Sequence, residues 1–557
     1  MATFAIIYTF MGGLGIFYFG MKLMSDGLQA MAGDMIRTII QKIAANRVMA
    51  VGAGMTVTML VQSSSITTVM TVGLVNAGLM TLKQAIGVIF GANVGTTITG
   101  WIMAVDVERY GLLLVGLGFI PGLFAKSNNW QHLGKAVLGI GMVFVGMTTM
   151  SNAFIPLRES AAFLESISYF AGDTYSAYLA SIVMGCLLTM VVQSSTAMLA
   201  ITMALATTGV INYHTALCLV LGENVGTTIT ALLASVGGNV NAKRTARVHG
   251  LFNLFGVLLL LPVLPHFFGV VDWLVPGDAS YLDAAGRHPL INTHIAMAHS
   301  LFSISAMLLF LPFVDQLAAF VTRITPERAP DREVPHLLML GTPQDLLPAT
   351  SLVQAESEIR KMADIVARMY TLTREYWQAS GDDQKKLAKI LDYERITDNI
   401  HKEVTVFLCY VMEHGLSHQQ SVQTQALIKV ADELESVADY LERLAEYRQR
   451  FKGGETLEGE SRKEFFDFLD EVHTFYGLTI TGLDDADKHD MDRITAKSDE
   501  LQIWADSIRD KHLDRIAKGA YAPVTALTFS DMVVAVRKIR THAFRMAESV
   551  EALNTPE

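Results

Sequence analysis

Gln62-Ser63-Ser64-Ser65 and Gly91-Ala92-Asn93-Val94-Gly95-Thr96-Thr97 recur 131 residues later as Gln193-Ser194-Ser195-Thr196 and Gly222-Glu223-Asn224-Val225-Gly226-Thr227-Thr228. Both copies lie inside apolar sequence. Uncharged polar residues and glycines at matching places in two hydrophobic halves are the sequence trace of a transporter built from internal repeats, with its binding site near the bilayer midplane.

Outward from these motifs, residues 48–82 contain no Asp, Glu, Lys or Arg, and neither do 84–105, 174–222 and 224–242. About 20 mostly apolar residues cross a bilayer. The stretch 48–82 is therefore too long for one simple helix and predicts a helical hairpin or a broken helix, with non-helical backbone lining a polar cavity. Apolar segments near 4–24, 48–80, 84–104, 110–125, 133–152, 178–211, 214–236, 248–270 and 291–320 give repeat one at about 1–125 and repeat two at about 133–270, with a last segment following. The stretch from Phe4 to Lys22 lacks a small-residue cleavage signal and reads as a retained first membrane segment.

Charge divides the chain in two. Of 43 Lys and Arg and 54 Asp and Glu, residues 1–325 hold only 14 and 12, which leaves an acidic, ordinarily charged remainder. The overall net charge of −11 gives no basic surface for nucleic acid. Basic residues cluster at Arg37, Lys42 and Arg47, at Lys243, Arg244 and Arg247, and at Arg323 and Arg328, which marks those loops as cytoplasmic candidates. The first cluster precedes its Gln-Ser-Ser motif and the second follows its Gly-x-Asn motif, an asymmetry consistent with inverted repeats, the competing reading being ordinary interfacial anchors. Cys186, Cys218 and Cys409 are scattered without metal spacing, so neither a structural disulfide nor a zinc site is expected.

Pro326, Pro330, Pro335, Pro343 and Pro348 mark a linker at 326–349. Beyond it, Ile390, Tyr393, Ile396 and Ile400, then Leu427, Val430, Leu434, Val437 and Leu441, recur at helical spacing. Breaks at Ser380-Gly381, Gly415, Gly453-Gly454, Lys488-His489 and Gly519 divide 350–557 into about six helices of a soluble bundle domain.

An oxyanion deep in a membrane protein needs donors. The Gln-Ser-Ser motifs offer hydroxyls, a side-chain amide and the free N–H groups of a helix start. The same Gln and Ser oxygens, with Asn93, Thr96, Asn224, Thr227 and unwound carbonyls, are hard ligands for a small cation. No Lys or Arg stands within the motifs. Desolvating a divalent anion in a neutral site costs heavily, so co-bound cations, and hence ion-coupled symport, are the simplest compensation. The competing reading of one such motif is a small-residue packing face, which exact duplication disfavours. Glu223, opposite Ala92 in the first copy, is an ionisable residue at membrane depth and a candidate sodium ligand or proton carrier, the alternative being a carboxylate at the segment mouth or one bonded to backbone N–H groups. His249, His294 and His299 read as packing or interface residues.

With these motifs the chain resembles the sodium-dependent phosphate cotransporter (type II) family of animals and its bacterial relatives. Further matches are Arg247-Val248-His249-Gly250-Leu251-Phe252-Asn253 and Ile291-Asn292-Thr293-His294-Ile295-Ala296-Met297-Ala298-His299-Ser300-Leu301-Phe302. The resemblance implies an all-α polytopic transporter with inverted-topology repeats, and phosphate contacts from Gln62, Ser63, Ser64, Ser65, Gln193, Ser194, Ser195 and Thr196. Candidate sodium ligands are Gln62, Asn93, Thr96, Gln193, Glu223, Asn224 and Thr227.

Residues 350–557 resemble PhoU, a bacterial phosphate-signalling protein of two three-helix bundles. Glu394-x-x-x-Asp398 and Glu435-x-x-x-Asp439 match its acidic motif and are candidate metal ligands. The competing reading is a solvated face salt-bridged to Lys402 or Arg443. In the second bundle Arg537 and Thr541 stand where carboxylates should be, which puts a second metal cluster in doubt.

The expected protein is a sodium:phosphate symporter of the bacterial inner membrane, with a cytoplasmic PhoU-like regulatory domain and a regulatory protein as candidate partner. The alternatives are a transporter or exporter of phosphate or another oxyanion, and a non-transporting membrane phosphate sensor. An enzyme is not expected: the serines have no nearby Lys or His in a matching pattern and no Gly-x-Ser-x-Gly elbow.

Overall fold

The computed structural model describes residues 2–42, 46–76, 78, 80–105, 110–158, 160, 165, 168–236, 238–284, 286–326, 348–379, 383–413, 416, 418–451, 457, 459–484 and 489–554. Arg328, Pro330, Pro335, Pro343 and the breaks at Ser380-Gly381, Gly415 and Gly453-Gly454 lie outside the described residues, as do Lys488 and the side chains of Arg37 and Lys42. The chain forms two compact units, Met1–Arg328 and Ala329–Glu557. Among the described residues every regular element is helical.

The first unit contains α1 (Ala2–Lys42), α2 (Arg47–Val61), α3 (Ser64–Asn76), α4 (Leu82–Ala104), α5 (Gly111–Phe124), α6 (Asn128–Arg158) and α7 (Tyr175–Val192). It continues with α8 (Ser195–Thr207), α9 (Tyr213–Gly226), α10 (Thr228–Ala234), α11 (Val240–Leu260), α12 (Leu264–Leu274), α13 (Ile291–Phe310) and α14 (Val314–Ile324). Seven described helical spans are long and apolar enough to cross a membrane, while α2, α5 and α8 are shorter apolar helices. Leu112, Val191 and Trp273 are 76%, 81% and 82% exposed on its outer surface, a distribution suited to lipid and not to water.

The uncharged stretch 48–82 folds as a re-entrant hairpin. Arg47 at the start of α2 and Lys83 at the start of α4 both pair with Asp315, so the chain through α2 and α3 returns to the level at which it entered. The second copy repeats this: Asp173, just before α7, accepts from His214 at the start of α9 (2.7 Å), and Thr215 donates to the Phe170 carbonyl (2.6 Å). Helices α9 and α10 then cross from this level to the other one, because Asn239, which follows them, bonds to Asn76 at the end of α3. The two hairpins therefore open on opposite sides, and the repeats are inverted.

A second internal correspondence joins α11–α12 to α13–α14 at an offset of 50 residues. His249, Phe252 and the 3-10 interruption Leu261-Pro262-Val263 stand against His299, Phe302 and Leu311-Pro312-Phe313. Burial follows the same register, with Leu264 and Val271 matching Val314 and Val321 as the inward residues of α12 and α14. Helix α11 packs on α3, α4 and α9, while α13 packs most extensively on α4 and also on α9 and α8.

The second unit is built from α15 (Pro348–Gln378), α16 (Gln384–Met412), α17 (His418–Arg448), α18 (Gly459–Asp484), α19 (Met491–Ala517) and α20 (Pro523–Asn554). These form two three-helix bundles, α15–α17 and α18–α20, packed together mainly through α17 and α20. The periodic apolar residues Ile390, Tyr393, Ile396, Ile400, Leu427, Val430, Leu434, Val437 and Leu441 are all buried.

Candidate functional site

Each Gln-Ser-Ser motif is a helix break of the same geometry. Gln62 ends α2 with φ 57° and ψ 23°, and Gln193 ends α7 with φ 57° and ψ 19°. Among the described residues these are the two non-glycine residues with positive φ. The left-handed region is costly for a side chain other than glycine, so a glutamine kept there in both copies points to a use for its carboxamide. Ser63 and Ser194 accept from Ile66 N and Ala197 N as N-caps through their hydroxyl oxygens, which leaves each O–H as a donor. The hydroxyls of Ser64, Ser65, Ser195 and Thr196 join them at the first turns of α3 and α8, together with the backbone N–H groups that a helix start presents to an anion. The C-terminal carbonyls of α2 and α7 face the same breaks and favour a cation.

The two breaks differ in their surroundings. Gln62 is buried, its Oε1 accepts from Thr99 Oγ1 (2.9 Å) and its amide donates to the Met59 carbonyl. Ser25 on α1 covers this break by donating to the Val61 carbonyl (2.7 Å). Gln193 is exposed.

The Gly-x-Asn-x-Gly-Thr-Thr blocks lie in α4 and α9 against the helices that carry the breaks. A Cβ on Gly91 would stand 1.9 Å from the Val51 carbonyl oxygen, and one on Gly222 would stand 2.0 Å from that of Ile182. These glycines permit backbone contact between α2 and α4, and between α7 and α9. Asn93 and Asn224 donate their amides to the Ile89 and Val220 carbonyls of their own helices (2.8 and 2.9 Å), which leaves each Oδ1 as an acceptor. Thr96 donates to the Ala92 carbonyl, whereas the Thr227 hydroxyl is buried without a partner.

Glu223 is 2% exposed and accepts from Thr202 on α8 (2.7 Å). It sits neither at a segment mouth nor on backbone N–H groups. The histidines, read from the sequence as packing or interface residues, stand between helices. His299 Nε2 lies 3.2 Å from Asn224 Oδ1, and both ring nitrogens of His249 are buried without a partner. Their matching offset from the two Leu-Pro interruptions was the available signal.

At the opening of the second hairpin, a cavity of about 490 Å³ is lined by Asp173, Tyr213, His214, Asp272 and Asp278. Its carboxylates make that opening attractive to cations.

Residues 16–152 and 160–265 match the Na+/Pi-cotransporter family, and residues 359–447 match the PhoU domain. The uncharacterized protein YqeW of Bacillus subtilis is 30% identical over 326 residues, which are 58% of this chain and 99% of YqeW. The chain belongs to the Na+/Pi-cotransporter family. Another relative in the comparison is the “Putative inorganic phosphate export protein YjbB” of Escherichia coli (strain K12), 25% identical over 76% of this chain and 75% of its own. Human sodium-dependent phosphate transport protein 2B is 38% identical over 96 residues, 16% of this chain and 14% of its own. No solved structure matches. Both breaks and both glycine blocks fall within the cotransporter match, while His299 lies beyond it.

The PhoU match covers the first bundle only. There the carboxylates that converge are Glu394, Asp439 and Glu442, with ligand atoms all within 4.8 Å of one another. Asp398 and Glu435 of the expected set stand outside this group. Asp398 is held by Lys402 (2.7 Å), and Asp439 also has Arg443 at 3.5 Å. Burial, then the neighbouring carboxylates Glu442, Asp439, Asp398 and Glu435, pushes the Glu394 carboxyl up to about 7. In the second bundle Arg537 faces Asp506 (3.6 Å) and Thr541 donates to the Arg537 carbonyl.

Proposed function

We propose that this protein carries inorganic phosphate across a bacterial inner membrane with sodium as the coupling ion. The observation that carries the reading is the duplicated break, in which a left-handed glutamine separates a carbonyl-bearing helix end from a hydroxyl-rich helix start. Phosphate takes the donors of Ser63, Ser64, Ser65, Ser194, Ser195 and Thr196 with the Gln62 and Gln193 amides. Sodium takes carbonyl, carboxamide and hydroxyl oxygens, with Asn93, Asn224, Thr227 and Glu223 as further ligands. The names of the family and of its relatives support phosphate as cargo. The basic residues Arg47, Lys83, Arg244 and Arg247 support a cytoplasmic reading of their side. The chain leaves the membrane unit at Thr325, to which Arg244 and Arg247 bond, and this supports the reading of a cytoplasmic, regulatory PhoU domain.

The test is uptake of labelled phosphate by the full chain in proteoliposomes under sodium, lithium or potassium gradients. Sodium-driven uptake is expected, with lithium and potassium weak. Equal uptake in potassium would sink the sodium coupling. The name of the YjbB relative favours a second reading, net export. Outward and inward sodium gradients separate the two, because a symporter follows the gradient and a dedicated exporter does not. A chain ending near Thr325 is expected to keep phosphate binding and lose control of activity.

A further inference from the structure

The offset of 50 residues pairs His249 on α11 with His299 on α13, and the offset of 131 pairs Asn93 on α4 with Asn224 on α9. In one half the two pairs meet. The Asn224 amide is committed to Val220 O, so its Oδ1 accepts and His299 Nε2 donates, at 3.2 Å. This bond ties α13 to α9. In the other half Asn93 is arranged in the same way, with its amide on Ile89 O. Phe90 and Phe252 meet in a tilted ring contact one turn from Asn93 and His249, with ring centroids 4.4 Å apart, so both residues lie on the facing sides of α4 and α11. Yet His249 has both ring nitrogens buried and unpartnered.

A neutral imidazole always carries one N–H. Burying it without an acceptor in a membrane-spanning segment is costly, and packing alone would be served better by an apolar residue. The missing acceptor has a symmetry-equivalent counterpart in the molecule, the carboxamide oxygen of Asn93. In an inverted-repeat transporter the two halves exchange conformations between the two access states. We propose that His249 and His299 are positioning residues of the transport cycle: each clasps the Asn of one Gly-x-Asn block, and one clasp is closed while the other is open. In this structure the His299–Asn224 clasp is closed. In the opposite access state the His249–Asn93 clasp forms and the His299–Asn224 clasp releases.

The two histidines then have opposite effects on one equilibrium. Hydrogen exchange of the full chain in nanodiscs reads that equilibrium without transport, so it stands or falls separately from the phosphate and sodium assignments. His299→Ala removes the bond that holds the present state and should shift the population about 5- to 10-fold away from it, the worth of one buried hydrogen bond. Exchange should rise in α8 and α9 and fall in α3 and α4. His249→Ala should shift the population the other way by a similar factor. His299→Gln, which keeps an N–H donor, should restore most of the wild-type pattern, a rescue that a merely space-filling role would not give. Shifts in the same direction for both alanine variants, or none in folded protein, would overturn the proposal.

Discussion

The first half of the membrane unit is closed where the second is open. Gln62 is buried, bonded to Thr99 and covered by Ser25, while Gln193, with the same backbone angles, is exposed. One motif in two surroundings separates what the local sequence specifies from what packing adds. The left-handed turn, the Ser N-cap and the glycine crossing are specified locally and appear twice. The burial of the glutamine, with its bond to Thr99, is added by packing and appears once.

The largest test of this division falls on what the halves share. Gly91→Ala and Gly222→Ala each force a methyl group into a backbone carbonyl, with no flexible side chain to yield. Each should cost at least about 3 kcal/mol and abolish folded, monodisperse protein in size-exclusion chromatography. Tolerance of one but not the other would show that the crossings are not equivalent.

Next come Gln62→Gly and Gln193→Gly. Glycine suits the left-handed turn, so these changes keep the backbone and remove only the carboxamide. Both should insert normally and bring phosphate uptake down to background. Thermal stability should fall only for Gln62→Gly, by about 1–2 kcal/mol for its bonds to Thr99 and Met59. Retained uptake in either variant would show that its side chain is not a ligand.

A smaller effect is expected where the halves differ in charge. Glu223→Gln keeps the acceptor for Thr202 and removes the ionisable group. It should alter the sodium and pH dependence of transport by severalfold and leave the apparent affinity for phosphate nearly unchanged. An unaltered sodium and pH profile would reduce Glu223 to a packing residue.

The smallest effect lies in the PhoU domain, where the two bundles form a second unequal pair. The Glu394 carboxyl is pushed up to about 7 in the folded protein from an ordinary 4.5, so the fold favours its protonated form. Stability from this group is present at low pH and declines as pH rises through that window. Thermal unfolding of the full chain should therefore show the soluble transition falling between about pH 5 and pH 8, with Glu394→Gln removing part of the slope. A divalent cation should raise the transition at pH 8 more than at pH 5. Absence of both effects would leave the acidic group a solvated surface.

Much of this architecture is legible in the chain itself. The 35 uncharged residues of 48–82 exceed one crossing, and the hairpin with its break at Gln62 is what they build. The apolar spacing of α16 and α17 likewise predicts their buried faces. Contacts set by tertiary packing are not legible. Nothing near Ser25 announces that it caps Val61, and nothing near Thr202 announces that it holds Glu223. The Glu-x-x-x-Asp spacing identifies the helix faces that carry acids, but the approach of α16 to α17 brings in Glu442 ahead of Asp398 and Glu435. The correspondence of α11–α12 with α13–α14 is hidden because few residues beyond a histidine, a phenylalanine and a Leu-Pro step are shared.

The glycine crossings also bear on mechanics. Where the backbone of α2 touches that of α4, and α7 that of α9, no layer of side chains remains to slide or shear, so each pair behaves as a plate with negligible internal compliance. Motion in such an object concentrates where the chain lacks both side-chain padding and continuous helix, at Gln62-Ser63 and Gln193-Ser194. On the proposed function the two breaks that hold the cargo are then also the two pivots, and a cargo that grips them stiffens the joint about which its own release must occur.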